Sequence, residues 1–395
     1  MAEILFLAHR IPYPPDRGDK IRSWNMLRHL GRFTRVHLAC FADHAADAAH
    51  LAALREAMGG SLGEAHVEVR RTSRAVAGAR ALLEGRPVSL TMFDSRAMRS
   101  FVSRLVIERP LQSVFAFSGQ IAQFVPAGVR FVMDFVDMDS AKFADYAAAG
   151  GPLAPLHRRE AARLFAFERE TAARADVSLF VSEAEAALFR ARSGAANVRS
   201  VRNGVDLDFY DPAVAPAKAP RPLIVFTGQM DYAPNIDAVR WFADEVLPLV
   251  PHATFAIVGR NPPPAVTALG QRERVLVTGA VDDVRSWLAA ADVVAAPLRI
   301  ARGVQNKVLE AMAMARPVVA SPAAFEGIEA ETGTEILVAE TAAAQAEAIR
   351  TLLTDPARAS AIGRAARARM EKDYRWEAAL APLAGLLGLE NKAAA

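Results

Sequence analysis

Short apolar runs alternate with Ala- and Arg-rich stretches along the whole chain. In the first half the runs fall at residues 4–8, 36–40, 67–69, 114–117, 131–136 and 177–181. They are nearly unbroken rather than alternating, which is the pattern of strands covered on both faces. Most of the intervening stretches read as helices, at about 21–30 and 156–174 among others. The second half repeats the pattern with runs at 223–228, 254–259, 275–279, 293–297 and 318–320, three of which end in glycine. Strands alternating with helices predict α/β architecture with doubly wound parallel sheets. Between the halves Asn203-Gly204 reads as a turn, and Pro212, Pro216, Pro220 and Pro222 mark a linker without regular structure. A chain of 395 residues is long for one core and suits two. The expected division is a domain at 1–202, a linker at 203–222, a second domain at 223–370, and a tail at 371–395. The tail carries Tyr374 and Trp376 ahead of an Ala/Leu helix that is expected to pack back on the first domain.

Candidate chemistry lies where polar clusters follow these strands. Residues 301–320 form a polar, Gly-containing loop, then an Ala/Met/Leu-rich helix that ends before Pro317 and a β-branched run. Loop amides and the positive end of a helix attract an anion; Lys307 adds a full charge, and Glu310, one turn along, suits a sugar hydroxyl. Core packing of Val308, Ala311, Met312 and Met314 beside a solvated Lys/Glu pair fits the same spacing, which leaves both readings open. After the first strand, Pro14 and Pro15 stiffen a loop in which Gly18 would let the backbone approach a ligand and Arg17, Lys20 and Arg22 would meet phosphate. Ser118-Gly119-Gln120 and Asp137-Met138-Asp139-Ser140 follow two further strands, and ligands of open α/β sheets bind at such carboxyl ends. Asp137 and Asp139 would serve equally as helix caps. The arginines at 158, 159, 163 and 169, with Glu160, Glu168 and Glu170, read as a salt-bridged surface helix. Neither half carries a spaced Gly-x-Gly-x-x-Gly after its first strand, which argues against a dinucleotide oxidoreductase.

Charge and cysteine count narrow the setting. The first 200 residues hold 27 basic against 21 acidic residues and the remainder 20 against 23, so an anionic partner is expected for the first half. Arg70, Arg71, Arg74, Arg80 and Arg86 surround Val76, Leu82 and Leu83. An ordinary Arg-rich surface helix is the more economical reading; a basic amphipathic segment on the inner face of an anionic membrane is the other. The aromatic-interleaved basic patches of a nucleic-acid binder are absent. Cys40 stands alone, so neither a disulfide framework nor a Cys-type zinc site is available, and no metal site is expected. No basic, apolar leader opens the sequence and no apolar run nears the roughly 20 residues of a membrane span. A cytoplasmic protein, at most peripheral at the inner membrane, is the expectation.

Four blocks carry a resemblance: Asn203-Gly204-Val205-Asp206, residues 226–235, residues 277–285, and Lys307 to Val319 with its Leu309-Glu310-Ala311-Met312-Ala313 and Arg316-Pro317-Val318-Val319. They resemble the donor-binding domain of retaining GT-B glycosyltransferases of family 4. With residues 134–140 and the loop from Pro14 to Arg22, the whole looks like the sugar transferases associated with PEP-CTERM sorting and exopolysaccharide systems. The resemblance implies a GT-B fold, with two Rossmann-like domains facing a cleft. It implies transfer of a sugar from a UDP- or GDP-linked donor to a glycan or lipid-linked glycan, with retention and with neither metal nor cofactor. Lys307 would hold the diphosphate and Glu310 the ribose hydroxyls, and Val281-Asp282 would lie along the base. Gly303, Val304 and Gln305 would offer amides, and Gly228 and Gln229 would line the donor. Gly18 would approach the same phosphates, and Arg17, Asp19, Arg22, Ser118 and Asp139 would stand on the acceptor side. Asp137, Asp19 or His9 would orient the acceptor hydroxyl. Two departures stand out. Arg302 occupies the place of the first of two glutamates eight positions apart, and Gln229-Met230-Asp231-Tyr232 follows Gly228 where many relatives carry Arg or Lys. A GT-B nucleotide-sugar epimerase and a non-catalytic glycan-binding subunit are the rival readings.

Overall fold

The computed structural model describes residues 3–301 and 303–389. The chain divides into two compact units, Met1–Arg202 with Leu380–Ala395, and Asn203–Ala379.

The first unit is built on seven parallel strands: β1 (Glu3–Ala8), β2 (Arg35–Ala42), β3 (Leu62–Val69), β4 (Leu111–Phe117), β5 (Phe131–Val136), β6 (Val177–Phe180) and β7 (Val198–Ser200). Their order is β3-β2-β1-β4-β5-β6-β7. Ile4, Leu5, Phe6 and Leu7 in central β1 are fully buried, as a strand covered on both faces demands. The helices that matter below are α1 (Gly18–Gly31), α2 (Arg74–Glu84), α3 (Val88–Thr91), α4 (Asp139–Ala148), α5 (Ala154–Arg174) and α6 (Glu183–Ser193). The chain leaves β3 and returns on the far side of β1, so the connections after β1 and β4 diverge. That is the switch point at which open α/β sheets bind ligands. The chain end closes this unit. Arg130 donates to the Leu386 carbonyl at 3.0 Å, and the Gln112 amide donates to that of Gly388.

Helix α5 is not the salt-bridged surface helix its charges suggest. Glu160 is 3% exposed and accepts from the Val88 and Ser89 amides at the start of α3, both at 2.9 Å. Glu168, equally buried, accepts from the Ser140 amide in the first turn of α4 at 3.0 Å. From α6, Glu185 takes the Met138 amide at 2.8 Å. Helix starts leave amides without intrahelical acceptors and carry positive partial charge. These three carboxylates meet that need from distant positions in the chain, so the residue capping α4, Met138, contributes no side-chain bond. Asp137 and Asp139 are thereby released from the capping role the sequence allows.

The second unit holds six parallel strands, β8 (Leu223–Thr227), β9 (Thr254–Val258), β10 (Val275–Gly279), β11 (Val293–Ala296), β12 (Val318–Ala320) and β13 (Leu337–Val338), in the order β10-β9-β8-β11-β12-β13. Its switch point lies between β8 and β11. Helices α7 (Ala233–Trp241), α8 (Asn306–Ala313), α9 (Pro356–Asp373) and α10 (Trp376–Leu386) frame the site or close the unit.

Residues 203–222 form no helix or strand, yet Val205 and Leu207 belong to the second core. Asn203-Gly204 is not a turn. Val205 pairs with Arg375 and its amide donates to the Tyr374 carbonyl at 2.7 Å. A Cβ on Gly204 would stand 2.7 Å from the Trp376 Cα, so glycine is needed here for close approach of two backbones. Tyr374 is 1% exposed, and its hydroxyl accepts from the Glu329 amide. Tyr374 and Trp376 thus complete the second unit, and the chain joins the first only from Leu380 on.

Candidate functional site

In the second unit the polar groups gather at the carboxyl ends of β8 and β11. Gly228 directly follows β8, and a Cβ there would lie 2.8 Å from Asn235 Nδ2 and 3.0 Å from Lys307 Nζ. A Cβ on Gly259, after β9, would fall 1.6 Å from the Gly228 carbonyl oxygen. Two bare glycines therefore let two strand ends and two polar side chains converge. Lys307 sits in the first turn of α8, donates to Asn235 Oδ1 at 2.6 Å, and rests 4.2 Å from the Phe226 ring centroid. Asn235 in turn donates to the Gln229 carbonyl at 2.8 Å. Asn235 is a site residue that the sequence reading passed over. Its signal was its place in the Tyr232-Ala233-Pro234-Asn235 start of α7.

Burial lowers the Lys307 ammonium to about 7, with Glu310 opposing the shift. Burial also raises the Glu310 carboxyl, against the hydrogen bond from the Tyr210 hydroxyl and the charge of Lys307. Tyr210, deep in the former linker, is held by its own carbonyl. Arg367 of α9 donates at 2.7 Å both to it and to the Ala313 carbonyl at the end of α8. Arg367 thus ties the Tyr210 segment to the helix that carries Lys307 and Glu310.

The loop before α8 turns at a glycine. Gly303 adopts φ +68°, the left-handed region that glycine enters freely. Gln305 caps α8 without a side-chain bond to it and instead donates to the Gly303 carbonyl at 3.2 Å. Val304 is half-buried beside the second core. Val281 packs on the same core and Asp282 is exposed, while Asp283, one residue on, caps the next helix. Arg302 lies outside the described residues.

A diphosphate at this place would draw Lys307 back to its charged form. Binding then takes up a proton wherever the free ammonium is neutral, that is, above about pH 7. The affinity of any diphosphate diester, whose phosphates do not titrate there, is expected to fall about tenfold per pH unit above pH 7. Titrations from pH 6 to 9 read this directly, and Lys307→Arg should flatten the dependence.

In the first unit the carboxyl ends of β1, β4 and β5 carry a second polar group. Ser118 and Val136, the residues that follow β4 and end β5, take φ of +79° and +69°. For a β-branched valine this is a strained conformation of the kind stored at functional sites. Asp134 is fully buried; one of its oxygens takes the Val136 amide at 3.0 Å and the other the Arg22 guanidinium at 2.9 Å. Arg22 is 1% exposed, so it is a core ion-pair partner and does not reach a phosphate as the sequence reading had it. Asp137 Oδ1 is buried with no hydrogen-bond partner. Burial, with Glu185 and Asp139 nearby, pushes its carboxyl up to about 7. Asp139 accepts from Gln120 Nε2 at 3.0 Å, and the Ser118 hydroxyl donates to Gln120 Oε1.

Around β1 the groups are already spoken for. Asp19 is bound by His9 at 3.1 Å, Arg10 at 2.6 Å and Arg17 at 2.9 Å. Despite its burial, the bonds and charges of these three hold its carboxyl far below the usual range. Lys20 pairs with Asp16 at 3.3 Å. Gly18 is the first residue of α1 rather than a mid-loop glycine.

Residues 221–355 match the family model described as glycosyl transferases group 1. No curated protein matches the sequence. Among solved structures, the chain is similar over 98% of its length to HepE of Anabaena in complex with UDP and glucose. That likeness has 17% identity, a TM-score of 0.68 and 99% of HepE covered. A sucrose-phosphate synthase from Thermosynechococcus elongatus gives 17% identity and a TM-score of 0.71 over 98% of both chains. WaaG, a glycosyltransferase involved in lipopolysaccharide biosynthesis, gives 16% and 0.68 over 98% of this chain and 100% of its own. Residues 221–355 thus match a group 1 glycosyl transferase domain, and the chain as a whole has the two-domain GT-B fold of these glycosyltransferases.

Proposed function

We propose that the second unit binds a nucleotide-diphosphate sugar and that the enzyme transfers the sugar, with retention, to a glycan or lipid-linked glycan in cell-surface polysaccharide assembly. The work would be done in the cytoplasm at the face of a membrane, in a system of the exopolysaccharide or PEP-CTERM type. The observation that carries the reading is the convergence of Gly228, Asn235, Lys307 and Glu310 at the switch point of the β8–β11 sheet. UDP as the carrier nucleotide is supported by HepE, which is described with UDP, and with UDP-glucose.

In the proposed reaction the acceptor oxygen bonds to the anomeric carbon as the bond to the distal phosphate oxygen breaks. Charge develops on the leaving diphosphate, and Lys307 with the amides of residues 303–307 meets it there, as preorganised electrostatic catalysis requires. Glu310, aimed by Tyr210, accepts from the ribose hydroxyls. No protein nucleophile is needed and no metal is required for leaving-group charge. Asp137 positions the acceptor hydroxyl and takes its proton; Asp19 and His9, locked to one another, are poorly placed to do so. The test is to incubate the protein with UDP- and GDP-sugars, with and without lipid-linked glycan acceptors. Sugar incorporation that depends on acceptor supports transfer. Conversion of the donor without acceptor favours an epimerase.

A further inference from the structure

Helix α2 presents the wrong face to solvent. Ala77 and Ala81 are its buried residues, while the side opposite them carries Val76, Leu82 and Leu83 at 60, 60 and 89% exposure, joined by Ala75 and Ala79 at helical spacing. The start of α5 continues this surface. Arg159 of α5 donates to the Ala81 carbonyl at 2.8 Å and to that of Arg86, which ties the start of α5 to the end of α2, and Leu153 and Leu156, just before and within the first turn of α5, are also exposed. Five of the six large exposed hydrophobic residues described in the first unit thus lie on α2 or at the start of α5; Ile107 is the sixth. A stable unit does not gather such residues on one exposed face without a use for them.

The rim of this face is cationic. Arg71 and Arg74 lie at the start of α2, and Arg163 lies two turns beyond Leu156 on its side of α5, all three exposed. Among the described residues, none of the three has a carboxylate at ion-pair distance, whereas Glu84 and Asp94 are taken up by Arg80 and Arg86. An apolar stripe edged by unneutralised arginines complements a surface that is anionic outside and hydrocarbon beneath. It does not suit a second copy of itself, whose arginines would face its own.

We propose that α2 and the start of α5 form the face by which the first unit docks on an anionic lipid bilayer, Val76, Leu82 and Leu83 entering the headgroup boundary and Arg71, Arg74 and Arg163 meeting lipid phosphates. This gives a surface to the membrane contact in the proposed function and rests on that reading for its purpose. A chain of contacts leads from this face to the carboxyl end of β1. Arg80 of α2 bonds to Asp94, whose neighbour Phe93 lies edge-on to His9 with ring centroids 6.3 Å apart. A lipid-anchored glycan held in that bilayer would reach the carboxyl edge of the first sheet without leaving its membrane.

Cosedimentation with vesicles of phosphatidylcholine alone, and with roughly 30% phosphatidylglycerol added to supply a negative surface potential, tests this. The full-length protein should bind the mixed vesicles at least tenfold more strongly than the neutral ones, and salt should weaken the binding. Leu82→Ser with Leu83→Ser should reduce binding at least tenfold, Arg71→Ala with Arg74→Ala should abolish the lipid preference, and Ile107→Ser should change nothing. Equal or absent binding of the unaltered protein to both vesicles, indifference to the leucine pair, or a lipid-free dimer dispersed by the leucine pair would each overturn the proposal. Nucleotide-sugar binding and melting temperature, followed on the same variants, should stay unchanged. Their constancy separates failure of the docking face from failure of the donor site or the fold.

Discussion

Lys307→Ala is expected to lower kcat/KM for the nucleotide-sugar by about 10²–10³, the usual effect of removing one preorganised partner of transition-state charge. The loss should lie mainly in kcat, because the diphosphate carries more charge while leaving than while bound. The fold should survive: Lys307 is in the first turn of α8, where alanine is a good helix former, and the hydrogen bond its ammonium makes is to the Asn235 side chain. Steady-state kinetics beside a melting curve decides the matter. A fall of less than about threefold, far short of that range, with an intact fold would remove Lys307 from the chemistry and leave it as a packing residue over Phe226.

Asp134→Ala carries the second large effect, on stability. It leaves the Arg22 guanidinium buried without its carboxylate, at a cost of about 3–5 kcal/mol. It also frees the Val136 amide, which Asp134 holds at 3.0 Å, so the strained turn ahead of Asp137 should relax and turnover should fall in the folded fraction as well. Urea unfolding measures the first effect. Arg22→Met added to Asp134→Ala should recover most of the stability, since an apolar pair of similar volume is often as stable as a buried ion pair. The turnover defect should remain. A loss of less than about 1 kcal/mol for Asp134→Ala, well under the cost of an orphaned buried charge, would mean that water reaches Arg22 and that the ion pair is not what fixes the β5 end.

The strands were legible because buried parallel strands are apolar at every position, as in residues 4–8 and 223–227. Two short edge strands were not. Val198–Ser200 offers one buried residue, and Leu337–Val338 is too short to show a period. The misread positions share one cause, which is partners far away in sequence. Glu160 and Glu168 look like i,i+4 partners of nearby arginines, yet they cap helices whose starts lie 72 and 28 residues away. Asn203-Gly204 has the composition of a turn, and only the approach of Trp376 shows why glycine stands there. Arg22 follows a glycine-bearing loop as a phosphate ligand might, but Asp134, 112 residues on, draws it into the core.

At the donor site, the helix start with Lys307 and Glu310 could be singled out from local chemistry. The residues that aim them could not. Tyr210 reaches Glu310 from a segment that reads as linker, and Arg367 acts through backbone carbonyls 157 and 54 residues away. Gly259 is needed because another strand's carbonyl passes within 1.6 Å of where its Cβ would be, a constraint set by neighbouring strands rather than by its own sequence.

The most direct measurement is a calorimetric titration of the full-length protein with UDP-glucose at pH 6.5, where Lys307 is mostly charged. Saturable binding at one site per chain is expected, weakened at least tenfold by Lys307→Ala and likewise by Glu310→Ala, each being a loss of at least about 1.4 kcal/mol. Binding that both variants leave unchanged would contradict a donor site at the β8–β11 switch point, and so would the absence of binding by UDP-glucose and every other nucleotide-sugar tried.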